Sequence, residues 1–102
     1  MNARDTRMAI RKGEIILTVT ESSIPKPPRT IPRWRRERLA VAIRCAGLFL
    51  FRDYTWEEIR DDIGRDRLFE KRKPSKARVC QYINRGVQHM YVNGVFKKTG
   101  VQ

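Results

Sequence analysis

The run SKARVCQYINRGVQHM, Ser75 to Met90, carries the side chains best suited to chemistry. Val79, Ile83, Val87 and Met90 recur at spacings of four, four and three, which sets them on one face of a helix. Away from that stripe lie Lys76, Arg78, Gln81, Tyr82 and Arg85. Arg and Lys donate to the N7 and O6 acceptors of guanine, and Gln pairs with the adenine edge. Such a face can enter a major groove if the apolar stripe docks on supporting helices. Ser75 is a good N-cap, and the amides at that helix start can hold a phosphate.

Two further helices are expected to support this one. Pro32 suits a first helical turn, and Leu39, Ile43, Ala46 and Leu50 follow at helical spacing. Ala42, Phe49 and Phe51 widen that face. Arg33, Arg35, Arg36 and Arg38 crowd the start of this helix, where its dipole disfavours cations. Either an anion faces them, or Glu37 and solvent suffice. Arg52-Asp53-Tyr54 breaks the helix. Thr55 and Glu58 then form the T-x-x-E capping box of the next one, whose apolar face is Trp56, Ile59 and Ile63 and whose stop is Gly64.

Between Gly64 and Ser75 the chain is unusually long for a helix-turn-helix, about seven residues beyond the short turn such units use. Arg65, Arg67, Lys71, Arg72 and Lys73 surround Leu68 and Phe69 there. Extra loop length costs little entropy, so a lengthened turn is compatible with the fold. Leu68 and Phe69 are expected to tuck inward as a short helical turn. The basic residues then lie beside the Ser75 helix, within reach of phosphates.

Ahead of Pro32 the pattern changes. Glu14 to Thr20, EIILTVT, is rich in β-branched residues and reads as a strand. RMAI, before Arg11-Lys12-Gly13, is its candidate hairpin partner. A lone two-stranded ribbon is marginal in water, so it needs the rest of the chain or a second subunit. Ile24 to Pro32 holds four of the five prolines and reads as a stiff, extended linker, with Lys26 and Arg29 placed to follow a phosphate backbone. Past the Ser75 helix, Asn93-Gly94 reads as a helix end rather than a hairpin turn.

Composition points to a polyanion. The chain has 102 residues, 23 Lys and Arg against 11 Asp and Glu, and a net charge of +12. Nucleic acid is the commonest partner for such a balance; an acidic membrane or protein surface also fits. The longest apolar run, Leu39 to Phe51, is thirteen residues with Arg44 inside it, too short and too charged to span a bilayer. Met1 to Lys12 lacks the apolar core of a secretory leader. Cys45 and Cys80 stand outside any CxxC pair, so two free thiols in a reducing cytoplasm are expected.

The segments YTWEEIRDDIG and SKARVCQYINRGVQHM resemble the helix-turn-helix of region 4 of bacterial sigma factors and of sigma-like phage transcription regulators. The shared pattern is a capped T-x-E-E-I helix, then S-x-x-R-V-x-Q-x-x-x-R-G-V-x-x-M, and it covers Asp53 to Met90. The resemblance implies promoter contacts around Ser75, Lys76, Arg78 and Gln81, with Arg85 at a basic position further along. Two departures stand out. Arg60 occupies a place where this motif prefers Ala or Gly, and the turn is longer.

Catalysis has little support. His89 has no evident Asp or Cys partner, and Glu57, Glu58, Asp61 and Asp62 spread around their helix near its dipole or near Arg65 and Arg67. No glycine loop for phosphates and no Cys/His cluster for zinc is present. No catalytic residue, metal or cofactor is expected.

The expected fold is therefore mostly α: a three-helix unit with a lengthened helix-turn-helix (residues 33–102) after a strand-bearing N-terminal arm and Pro-rich linker (residues 1–32). The expected function is sequence-specific DNA binding in transcription control, in a bacterium or phage, within the nucleoid or an infected cell. Expected base contacts are Lys76, Arg78, Gln81, Tyr82 and Arg85. Expected phosphate contacts are Ser75, Arg65, Arg67, Lys71, Arg72, Lys73, Arg33, Arg35 and Arg36. Duplex DNA is the expected partner, RNA polymerase a further one, and the arm a possible homodimer contact. The alternatives are a basic protein that docks on RNA polymerase or another acidic partner, and an RNA-binding protein whose Trp34, Tyr54, Trp56, Phe69 and Tyr82 stack on bases.

Overall fold

A computed structural model describes residues 2–99. The elements run α1 (Ala3–Arg11), β1 (Ile15–Leu17), α2 (Arg33–Phe51), α3 (Trp56–Ile63), α4 (Lys76–Val92) and β2 (Phe96–Lys98), with short 3-10 turns at Glu21–Ser23 and Arg67–Phe69. The protein is thus mostly helical with a small sheet. The outer ends of the two expected segments, residue 1 and residues 100–102, lie outside the described residues.

Local signals account for the helix starts. Thr55 Oγ1 accepts from the Glu58 amide, and Glu58 returns the bond to the Thr55 amide, which completes the capping box of α3. Ser75 Oγ accepts from the Arg78 amide and caps α4. Gly94, at φ +67, ends α4 in the left-handed conformation that glycine tolerates best. Asp53, at φ 58, plays the same part after α2.

The core is the junction of α2, α3 and α4. Val79, Ile83, Val87 and Met90 from α4 meet Ile59 and Ile63 from α3 and Ala42, Cys45, Ala46 and Leu48 from α2. The apolar face of α2 is rotated from the expected stripe. Val41, Ala42, Cys45, Ala46, Leu48 and Phe49 are buried, while Leu39, Ile43 and Leu50 are only partly so. Small residues decide this. A Cβ added at Gly86 would stand 2.0 Å from the Ala42 carbonyl oxygen, so α4 lies directly on the α2 backbone there. That approach turns Ala42 and Ala46, rather than the larger Leu39 and Leu50, toward α4.

The N-terminal hairpin does not form. Arg7 to Ile10 belong to α1, which Asn2 caps by accepting from the Asp5 amide. Strand β1 pairs antiparallel with β2 at the far end of the chain, Ile15 opposite Lys98 and Leu17 opposite Phe96. The pairing that would have called for a second subunit is met inside the chain. Helix α1 is held by the Ala3 amide donating to Asn84 Oδ1 at 2.8 Å and by the Thr6 and Tyr91 hydroxyls at 2.8 Å. Arg7 and Arg11 both grip Asp53. Ala3 and Ile24 join the common core, and His89 Nε2 donates to the Pro25 carbonyl at 2.8 Å, pinning the Pro-rich segment to α4.

Candidate nucleic-acid interface

Helix α4 is buried along one side only. Its exposed positions include Lys76, Ala77, Arg78, Gln81, Asn84, Arg85 and Gln88. Gln81 and Gln88 are seven residues apart and share the centre of the outward face, diametrically away from Val79 and Met90. Helix α1 borders this face at Asn84, and α2 borders the opposite flank.

Of the expected base contacts, Gln81, Arg78 and Arg85 lie on the exposed side. Lys76 is exposed too, but its Nζ sits 5.3 Å over the Trp56 ring, at the α3 flank. Tyr82 does not belong with them. It is 7% exposed and packs edge-on against Phe69, the ring centroids 5.8 Å apart. Its position is three residues past Val79 and four before Gly86, so its ring falls in the seam under the lengthened turn.

That seam explains how the long turn is accommodated. Phe69 tucks inward as expected and carries the turn against α4; Leu68 instead stays 39% exposed. Asp66 caps the 3-10 turn through the Leu68 amide. Arg60 Nε donates to the Pro74 carbonyl at 3.0 Å, immediately before the α4 cap. Arg60 thus lies alongside the turn and closes it.

The expected phosphate contacts divide by their surroundings. Lys71 and Arg72 are exposed and in no ion pair among the described residues. Lys73 is tied to Asp61 at 3.1 Å. Ser75 uses its hydroxyl as the cap. Arg33, Arg65 and Arg67 line a cleft of about 900 Å³ together with Glu37, Asp62, Asp66 and Glu70, so that cleft is mixed in sign. Arg33 is itself paired with Glu37 at 3.0 Å. Arg35 is exposed, and Arg36 Nε is buried with no hydrogen-bond partner among the described residues.

Three of the four carboxylates of α3 are engaged by neighbouring groups. Glu58 is in the capping box, Asp61 meets Lys73, and Asp62 takes a bidentate bond from Arg44 at 2.5 and 2.9 Å. The expected partners Arg65 and Arg67 are not the ones bonded. Hydrogen bonding from Arg44 holds the Asp62 carboxyl below the usual carboxylate range and raises the Arg44 guanidinium in turn. Cys45 and Cys80 are both free thiols.

Two features of the surface escaped the motif reading. Residues 71–102 contain eight Lys and Arg and not one Asp or Glu, so this last third carries +8 of the net +12. The signal was open to a simple charge count along the chain. The second is Arg38 of α2, which lines a notch of about 150 Å³ with Arg78, Gln81, Tyr82 and Arg85 of α4. Only helix packing reveals that neighbour.

Comparison with protein-family models, curated proteins and solved structures gives no match. Among the described residues no helix is long and apolar enough to cross a membrane.

Proposed function

We propose that this protein is a sequence-specific DNA-binding regulator of transcription, bacterial or phage, that lays α4 in the major groove. The observation that carries this reading is the outward side of α4. It is acid-free along its whole length, it offers amides at Gln81 and Gln88, and it is flanked by Arg78, Arg85 and Lys76. Gln presents a donor and an acceptor to the adenine edge, and basic flanks settle on phosphates. Helices α2 and α3 pack behind α4, the support that a reading helix requires. The exposed Lys71 and Arg72 extend the basic surface along the turn.

Roughly four to six phosphate contacts give an affinity that falls about 10²- to 10³-fold between about 50 and 200 mM salt. The test is a titration of the purified protein with duplex DNA, single-stranded DNA and duplex RNA of equal length and composition. Duplex DNA should bind tightest, with that salt dependence. Tighter binding to either RNA or single strands would move the function to RNA or strand capture. Failure to bind any of them would leave the basic surface to a protein partner such as RNA polymerase.

A further inference from the structure

We infer that the notch between α2 and α4 is an oxyanion site for a single phosphate group, formed by Arg38, Arg78 and Arg85. On the DNA-binding reading above, on which the identity of the ligand rests, that group is a backbone phosphodiester. Three arginines from two helices line it with Gln81 and Tyr82, and no carboxylate does. None of the three is in an ion pair among the described residues. Among the described residues five other arginines are in ion pairs: Arg7 and Arg11 with Asp53, Arg33 with Glu37, Arg44 with Asp62, and Arg52 with Glu21. Like charges gathered without a counter-charge repel, and an anion between them turns that repulsion into attraction.

Two further observations fit a phosphate. The Arg38 guanidinium lies 5.5 Å from the Trp34 ring centroid, and that of Arg78 lies 5.9 Å from the Tyr82 ring centroid. Aromatic faces hold the planar forks in place, so less freedom is lost when they grip an oxyanion. The volume, about 150 Å³, is below the range of small-molecule pockets. It has room for a tetrahedral oxyanion with water. The consequence is a change of role. Arg78 and Arg85 become phosphate clamps, and base reading falls to Gln81 and Gln88.

Arg38→Gln is the discriminating variant, because it removes one charge from α2 at an exposed position and leaves α4 intact. Inorganic phosphate is titrated into the wild type while the arginine Nε–Hε resonances are followed by NMR. The Arg38, Arg78 and Arg85 signals should move together and saturate, and the response should vanish in Arg38→Gln. With duplex DNA, the variant should bind every sequence more weakly. Its disadvantage should shrink by about three- to fourfold from about 50 to 200 mM salt, the signature of one lost phosphate contact. Phosphate binding without DNA binding would keep the oxyanion site and overturn the DNA reading. DNA binding with the same salt slope in both proteins, and no concerted shift with phosphate, would overturn the notch and spare the DNA reading.

Discussion

Arg60 reaches across the lengthened turn and donates from Nε to the carbonyl oxygen of Pro74, 3.0 Å away. One side chain of α3 thereby fixes where α4 begins. Arg60→Ala removes a charged donor and leaves the partly buried carbonyl unsatisfied. The expected loss is about 1–3 kcal/mol of stability in urea unfolding. DNA affinity should fall as well, because α4 loses its fixed start. Unchanged stability would mean that Phe69, the Asp66 cap and the Lys73–Asp61 pair hold the turn without it.

Gly86 is the tightest point of the core. Alanine is favoured over glycine in a helix by about 1 kcal/mol, so propensity alone predicts a more stable Gly86→Ala. The contact predicts the reverse. A Cβ at 2.0 Å from the Ala42 carbonyl oxygen and 2.7 Å from the Ala46 Cβ meets backbone and a side chain that cannot swing away. Forced separation of α2 and α4 should cost about 3 kcal/mol or more, read as a large fall in thermal midpoint. A midpoint equal to or above that of the wild type would contradict the close crossing.

What was legible in the chain was local. The capping box at Thr55 and Glu58, the Ser75 cap and the Val79-Ile83-Val87-Met90 stripe need only nearest neighbours on one helix, and the structure has all three. Helix α1 was not legible, because nine residues are too few to be stable alone and are held by Asn84, Tyr91 and Asp53 from distant positions. The partner of β1 was hidden for the same reason, some eighty residues away along the chain. Tyr82 sits at the border of the α4 stripe, where periodicity cannot decide between burial and exposure. The contact with Phe69, brought in by the long turn, decides it.

The two thiols should behave differently. Cys45 is fully buried, and burial pushes its thiol up to about 12. Near pH 8 it holds almost no thiolate, and no reagent can reach it. Cys80 is partly exposed. A disulfide-exchange reagent should therefore titrate one thiol in the folded protein and the second only in denaturant. Fast reaction of both under native conditions would mean that the α2–α4 interface opens.

Acid should loosen the protein through two aspartates. Asp53 is held below the usual carboxylate range by hydrogen bonds from Arg7 and Arg11, and Asp62 by those from Arg44. A lowered folded-state value means that the unfolded chain binds the proton more readily. The stabilisation is then complete above the unfolded carboxylate value of about 3.9 and is lost as pH falls through the lower folded values. Thermal midpoints should drop below about pH 4. An Asp53→Asn, Asp62→Asn double variant should be less stable at neutral pH and show a shallower acid limb. Parallel acid limbs in the two proteins would place the acid sensitivity in other carboxylates.

The central claim is that α4 reads base sequence. Its most direct test is selection of bound duplexes from a random library at near-physiological salt, by the wild type and by a Gln81→Ala, Gln88→Ala variant. The wild type should yield an enriched motif, with adenine preference at positions that become degenerate in the variant while overall affinity falls little. Recovery without any motif by the wild type, or the same motif from both proteins, would contradict it.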